Sequence, residues 1–158
     1  MLLKLRNYLR FPWKEVLDKS MKKILYLFFV VFFTSVYAQE KKEFQLSSHI
    51  LDITVGKPVE NIEVRLEKFD DTTNQWIAVS KKQTDKNGRI GDFLQKDKDS
   101  KSNYGKYKLI FLTEEYYKNK NIESFYPFIE VVFQIKDNQH YHVPITLSPF
   151  GYSTYRGS

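Results

Sequence analysis

The residues best suited to acid–base chemistry in this chain are its three histidines, His49, His140 and His142. Imidazole is the side chain whose ordinary pKa lies near neutral pH, so it can take or give a proton under working conditions. His140 and His142 are two residues apart in a segment typical of a β-strand, and this spacing places both on one face, with Tyr141 on the other. A His-X-His pair alone is weak evidence, because it also fits half of a zinc site or the polar edge of a sheet.

Metal chemistry has less support than proton transfer. The chain has no cysteine, which excludes a thiol nucleophile, a haem attached through cysteine and a thiolate zinc site. No third ligand is evident in the sequence beside His140 and His142. We therefore expect neither a bound metal nor another cofactor.

Arg89 and His49 each have an ordinary interpretation as well. Arg89 follows Asp85-Lys86-Asn87-Gly88, in which the Asn-Gly pair tolerates the positive φ of a tight hairpin. An arginine at that place is often an exposed, solubilising side chain, and a histidine inside a strand is often a hydrogen-bonded structural residue. Residue type and spacing alone do not decide between these roles and a role in catalysis.

From Gln39 onward, apolar residues alternate with polar ones, which is the pattern of strands with one buried face. Ile62, Val64 and Leu66 face one way along one such segment, and charged residues lie between them. The predicted strands cover residues 46–54, 61–69, 76–81, 90–93, 104–112, 129–136, 140–147 and 152–156, and one short helix is predicted over residues 113–122, with Thr113 as its cap. Short strands separated by turn-forming residues indicate an all-β sandwich.

The distribution of charge argues against a nucleic-acid partner. The chain has a formal net charge of +6. Residues 1–38 hold seven Lys/Arg and two Asp/Glu, whereas the remaining 120 residues hold 18 basic and 17 acidic side chains. A domain so close to neutrality lacks the basic surface that phosphate binding requires.

The first 38 residues resemble an export signal. Met21-Lys22-Lys23 is a short basic segment, Ile24–Phe33 is an unbroken apolar run, and Val36-Tyr37-Ala38 offers small residues for cleavage before Gln39. Residues 1–20 would then be an upstream extension, residues 21–38 the signal peptide and residues 39–158 a single exported domain, with the periplasm as its expected location. The alternative is an uncleaved leader that anchors the protein, since the apolar stretch approaches the ~20 residues that span a bilayer.

The C-terminal sequence favours a catalytic role for the histidines over a structural one. The chain ends in Tyr155-Arg156-Gly157-Ser158, which resembles the terminal signature of the transthyretin-like family of 5-hydroxyisourate hydrolases. Other segments resemble the family in the same order, namely residues 48–52, 56–58, 84–89 and 123–127. The resemblance covers residues 46–158. The chain departs from the family pattern at two places, a long charged loop over residues 95–102 and Thr146, where an aliphatic residue is usual. Neither departure touches a functional position.

The resemblance implies a fold, an assembly and a set of site residues. The fold is a transthyretin-like sandwich of two four-stranded sheets with one short helix. The assembly is a homotetramer, a dimer of dimers with active sites at the interface between the dimers. The site residues implied are catalytic His49, Arg89, His142 and Ser158, and substrate-binding His49, Arg89 and Tyr155. His140 would be a supporting residue.

The activity that the resemblance implies is hydrolysis of 5-hydroxyisourate, a small planar heterocycle, in urate degradation. His49 and His142 would act as a pair that activates water and protonates the leaving nitrogen, and Arg89 would stabilise the negative oxygen. The sequence does not tell which histidine is the base. Two non-catalytic alternatives stay open, a transthyretin-like carrier of a small ligand and an exported adhesion or scaffold module, because fold alone does not fix function.

Overall fold

The computed structural model describes residues 18–24, 26, 43–96 and 101–157. Contacts divide the chain into one compact unit up to Lys41 and a second from Lys42 to Ser158. In the first unit, residues 18–24 are helical; the rest of the predicted extension and nearly all of the signal peptide lie outside the described residues, so their boundaries stay predictions. Over the ranges just given, no helix is long and apolar enough to cross a membrane.

The described part of the second unit consists of ten strands and one short helix. The strands are β1 (Phe44–Asp52), β2 (Lys57–Pro58), β3 (Glu63–Asp70), β4 (Gln75–Gln83), β5 (Arg89–Gln95), β6 (Gly105–Phe111), β7 (Ile129–Ile135), β8 (Tyr141–His142), β9 (Ile145–Ser148) and β10 (Gly151–Thr154). The helix, α1, spans Glu114–Lys118. Each segment predicted as a strand overlaps an observed strand, and residues 140–147 overlap two.

The central strand of the first sheet is β1. Along one edge it pairs in parallel with β8 and then with β9, and β9 pairs antiparallel with β10. Along its other edge β1 pairs antiparallel with β5 and, near its end, with β2. This sheet therefore has four strand positions, two of which are each filled by two short strands.

The second sheet has the order β4-β3-β6-β7 and is antiparallel throughout. The predicted all-β sandwich is confirmed, although the first sheet contains six strands where four were predicted. The difference comes from two breaks. Pro144, which has no N–H to donate, lies between β8 and β9, and the segment Lys57–Pro58 that was predicted as a turn pairs with β1 as β2.

One hydrophobic core lies between the two sheets. Val64 and Leu66 of β3 are fully buried, whereas Arg65 between them is exposed, as the alternation predicts. Leu109 of β6 and Ile50 of β1 belong to the same buried cluster. Burial of each such side chain stabilises the fold by about 1.5–3 kcal/mol. Each sheet thus has a core face and an outer face.

The helix is shorter than predicted. It ends at Lys118, whose ammonium lies 2.9 Å from the Glu114 carboxylate one turn earlier, and Asn121 then adopts a positive φ of 54°, which asparagine tolerates. Thr113 occupies the N-cap position, as predicted, but it does not cap the helix through its side chain. Thr113 is fully buried with helical backbone angles, and its side chain makes no capping hydrogen bond.

Replacement of Gly88 by alanine is expected to destabilise the fold. Gly88 has a φ of 71°, and a Cβ there would lie 2.5 Å from the carbonyl oxygen of Ile50, so the substitution combines backbone strain with a clash. We expect Gly88→Ala to lower the free energy of unfolding by about 1–3 kcal/mol, measured by urea denaturation.

Gly91→Ala is the matched control, because the Cβ position of this β5 glycine has nothing within 4 Å. Its free energy of unfolding should be unchanged or raised by up to about 1 kcal/mol. Equal stabilities of the two variants would contradict the close approach of the hairpin to β1.

Candidate active site

The register of β1 brings three of the predicted site residues, His49, Arg89 and His142, together on the outer face of the first sheet. Ile50 points into the core, so Ser47 and His49 point away from it. Arg89 of β5 is the direct cross-strand partner of His49, and His142 of β8 is the partner of Ser47 on the opposite edge. Since directly paired residues project from the same face, side chains from three adjacent strands meet there.

Arg89 is positioned by the hairpin that precedes β5. The Asp85 carboxylate accepts hydrogen bonds from the backbone amides of Asn87 and Arg89, both at 2.8 Å. The amide of Ile50 donates to the carbonyl of Gly88 at 2.9 Å, which fastens the turn to β1. The Arg89 amide, the strongest influence on this carboxylate, lowers the pKa of Asp85. The backbone of Arg89 is therefore fixed, while its side chain stays exposed.

A chain of hydrogen bonds connects the three polar side chains on the β8 side of the site. Ser47 Oγ lies 2.9 Å from His142 Nδ1 and 2.7 Å from His140 Nε2. His140 Nδ1 lies 3.0 Å from the carbonyl oxygen of Phe44. His140, which precedes β8, is thus a structural neighbour of the site, and Ser47 bridges it to His142 of β8. The supporting role of His140 stays a prediction.

Burial and positive charge both disfavour protonation of the two site histidines. Partial burial lowers the pKa of His49 below 6.5, and the charge of Arg89 lowers it further. The pKa of His142 is lowered by the same two causes, followed by the charges of His49 and His140. Because protonation adds charge beside a guanidinium, the neutral form of both imidazoles is favoured.

The C-terminal segment is fastened to the segment that contains His142. The amide of Gly157 donates to the carbonyl of His142 at 2.8 Å. The guanidinium of Arg156 lies 4.7 Å from the centre of the Tyr141 ring and donates to Gln139 Oε1 at 3.1 Å. A Cβ on Gly157 would lie 2.5 Å from His142 Cδ2. The tail thus packs directly against the His142 ring and requires glycine at this contact.

The roles of the two remaining predicted site residues, Ser158 and Tyr155, stay predictions. Ser158 lies outside the described residues, so its catalytic role stays a prediction. Tyr155 is 60% exposed and lines a cavity of about 460 Å³ together with Tyr141 and Val143, residues that alternate with the histidines along the chain. Its role in the substrate pocket also stays a prediction. In the described part of the chain, no three histidine or acidic side chains are grouped as metal ligands.

Ser47 is the site residue that the sequence did not single out. It is adjacent to Ser48, and nothing in the local sequence distinguishes two consecutive serines. The signal was the two-residue spacing from His49, which places Ser47 and not Ser48 on the face of the histidine. Ser48 is buried and donates to the carbonyl of Val143 at 2.8 Å.

A model of the HIUase/Transthyretin family matches residues 46–157. The chain belongs to this family. The family resemblance inferred from the motifs is therefore confirmed.

Named relatives within the HIUase/transthyretin family are hydrolases. The 5-hydroxyisourate hydrolase of Mus musculus is 42% identical over 114 residues, which cover 72% of this chain and 94% of that protein. A probable 5-hydroxyisourate hydrolase of Caenorhabditis elegans is 46% identical over 114 residues, which cover 72% of this chain and 81% of the relative.

Solved structures of the same family include proteins with different roles. The 5-hydroxyisourate hydrolase of Klebsiella pneumoniae matches with a TM-score of 0.59 and 32% identity, covering 72% of this chain and 98% of that one. Sea bream transthyretin, solved in complex with thyroxine, matches with a TM-score of 0.65 and 26% identity, covering 72% and 94%. The shared sandwich does not by itself choose between an enzyme and a ligand-binding protein.

Arg89→Gln is expected to raise the pKa of both His49 and His142, because it removes the neighbouring positive charge and keeps a polar side chain. An NMR titration of the histidine ring protons would measure both values. Arg65→Gln removes an exposed arginine from the other sheet and should leave them unchanged. A pKa that stays constant or falls in Arg89→Gln would show that the guanidinium does not act on the imidazoles.

Proposed function

We propose that this protein hydrolyses 5-hydroxyisourate to 2-oxo-4-hydroxy-4-carboxy-5-ureidoimidazoline, a step of urate degradation. The observation that carries the proposal is the meeting of two partly buried imidazoles and a guanidinium on one face of the sheet. The relatives named as 5-hydroxyisourate hydrolases, at 42% and 46% identity, support the choice of substrate.

The histidines match the proton transfers of this reaction. Hydrolysis adds water to a ring carbonyl, breaks a carbon–nitrogen bond and leaves a carboxylate. Water must lose a proton as it attacks, and the leaving nitrogen must gain one. The lowered pKa of His49 and His142 keeps both imidazoles able to accept a proton at pH 7. Activity should therefore fall as the pH drops through their lowered pKa and the imidazoles become charged.

Arg89 matches the charge that develops on the substrate. Negative charge gathers on the attacked carbonyl oxygen, and a guanidinium can stabilise it while paired hydrogen bonds hold the planar ring. The Asp85 turn fixes the backbone of Arg89, and the exposed guanidinium is accessible to a ligand on the outer face. Histidine, arginine and water suffice for this chemistry.

A homotetramer with active sites between dimers belongs to the same proposal. Several large apolar side chains of the single chain are exposed, among them Val132 at 61%, Phe150 at 69% and Tyr155 at 60%, and association would remove such surface from water. Ser158 would act beside His142, because the residue before Ser158, Gly157, is hydrogen-bonded to His142.

Export to the periplasm is proposed from the leader alone. A cleaved signal peptide is supported by the basic residues that follow Met21, by the apolar run after them, and by the small residues at the cleavage position before Gln39.

A urate-oxidase-coupled assay tests the proposed activity. Residues 39–158 should accelerate the loss of 5-hydroxyisourate absorbance over its spontaneous decay. Arg89→Ala should lower kcat/KM on the order of 10²- to 10³-fold, because the oxyanion loses its positive partner, with the circular dichroism spectrum unchanged.

Arg65→Ala is the control for that loss, since it removes an exposed arginine of the other sheet and should keep near-full activity. If the wild-type protein gave no acceleration, the non-catalytic carrier that the sequence left open would replace the enzyme. Full activity in Arg89→Ala would refute only the role assigned to Arg89 and would leave the proposed activity standing.

Gly157→Ala is expected to impair turnover through the position of His142. The added Cβ would lie 2.5 Å from His142 Cδ2, so the ring must shift, and a displaced proton acceptor lowers kcat on the order of 10-fold or more. Gly151→Ala is the matched control, because its Cβ would meet Ser148 Oγ at an ordinary 3.6 Å. Steady-state kinetics of both variants measure the effect; equal kcat values would mean that the tail does not position His142.

A further inference from the structure

Three hydrogen bonds form a continuous chain from a backbone carbonyl to the His142 ring. The links are Phe44 O to His140 Nδ1 at 3.0 Å, His140 Nε2 to Ser47 Oγ at 2.7 Å, and Ser47 Oγ to His142 Nδ1 at 2.9 Å. All three distances lie within the normal range for hydrogen bonds. The ends of the chain differ, because His140 is exposed and His142 is half-buried.

When His140 is neutral, the carbonyl at one end sets the direction of every link. A carbonyl oxygen can only accept, so His140 Nδ1 carries a proton. In a neutral His140, Nε2 is then an acceptor, and the Ser47 hydroxyl must donate to it. Ser47 has one proton, so its oxygen can only accept from His142, whose Nδ1 therefore carries a proton. The remaining nitrogen, His142 Nε2, is left with a free lone pair.

We propose that Ser47 and His140 are positioning residues that hold His142 as the tautomer protonated on Nδ1, so that His142 Nε2 is the base that takes the proton from water. The proposal rests on the hydrolase function proposed above and goes beyond it, because it assigns the base and gives roles to two residues outside the catalytic set. His49 is then the partner that orients the water.

The same chain relays the proton away from the site. As water attacks, its O–H bond breaks and a bond from hydrogen to His142 Nε2 forms. The Nδ1 proton of His142 moves to Ser47 Oγ while the Ser47 hydroxyl proton moves to His140 Nε2. The product is a neutral His142 with its proton on Nε2 and a His140 imidazolium. No atom is gained or lost, and no oxidant is needed.

The final distribution of charge is favourable for two reasons. Arg89 and partial burial disfavour a positive charge on His142 and lower its pKa. His140 is exposed, so water can solvate its positive charge. His142, now protonated on Nε2, can donate that proton to the leaving nitrogen, after which Ser47 and His140 return their protons along the same path.

The tautomer can be observed without any activity. The full chain has only three histidines, so a protein labelled with ¹⁵N-histidine and carrying no polyhistidine tag gives three ring systems in a long-range ¹H–¹⁵N spectrum. Above the last histidine titration, His140 and His142 should each show a protonated Nδ1 and an unprotonated Nε2, with assignments from His49→Gln and His140→Gln. A neutral His142 protonated on Nε2 in the wild-type protein would overturn the proposal.

Variants of Ser47 test the consequence for catalysis. Ser47→Ala breaks the chain and should lower kcat on the order of 10- to 100-fold while leaving KM within about threefold, because Ser47 acts through His142 and not on the substrate. Ser47→Thr keeps the hydroxyl and should restore most of the activity. The control is Ser48→Ala, the same change in the adjacent residue, whose hydroxyl bonds to the Val143 carbonyl and which should keep kcat.

The two proposals fail in different ways. If the wild-type protein does not accelerate loss of 5-hydroxyisourate, the hydrolase function fails, whatever the spectrum shows. If the wild-type protein is active but Ser47→Ala keeps its kcat, or Ser48→Ala loses as much, the positioning role of Ser47 is refuted and the hydrolase function stands.

Discussion

The pairing of β1 with a strand along each of its edges is the constraint on which the site depends. Parallel pairing sets His142 beside Ser47, and antiparallel pairing sets Arg89 beside His49. A slip of one residue in either pairing would turn the outer side chains of that strand toward the core. Burial of the apolar residues on the inner face, such as Ile50, therefore fixes the register that the polar groups on the outer face require.

The site concentrates basic groups and resolves their repulsion by leaving only one of them charged. Arg89 cannot lose its proton, so the neighbouring imidazoles stay neutral. The charge of the nearby Asp85 carboxylate raises the pKa of His49, but it is outweighed by burial and by the charge of Arg89, so the pKa is lowered on balance. The result is a fixed positive charge beside two proton acceptors, an arrangement that stabilises negative charge on a substrate and accepts protons at the same time.

Local pattern in the sequence predicted most of the fold, and the motifs predicted which residues would meet. Alternation along residues such as Val64 and Leu66 is a property of single strands, so it needs no knowledge of neighbours. The bridge from Ser47 to His140 and His142 joins residues more than 90 positions apart, and no local pattern contains it. The sequence placed Thr113 at the N-cap of the helix but did not show that its side chain would be fully buried and make no capping hydrogen bond.

The location of the site on the outer face explains how one sandwich can serve as an enzyme or as a ligand-binding protein. His49, Arg89 and His142 do not belong to the core cluster between the sheets, so other residues at these positions would cost little buried apolar surface. Function and stability are then separable at most site positions. They are coupled at Gly88 and Gly157, where the backbone approaches β1 or the His142 ring too closely for a side chain. The two glycines therefore contribute no chemical group to the site. They are needed because any side chain at either position would displace the strand or the imidazole that the reaction needs.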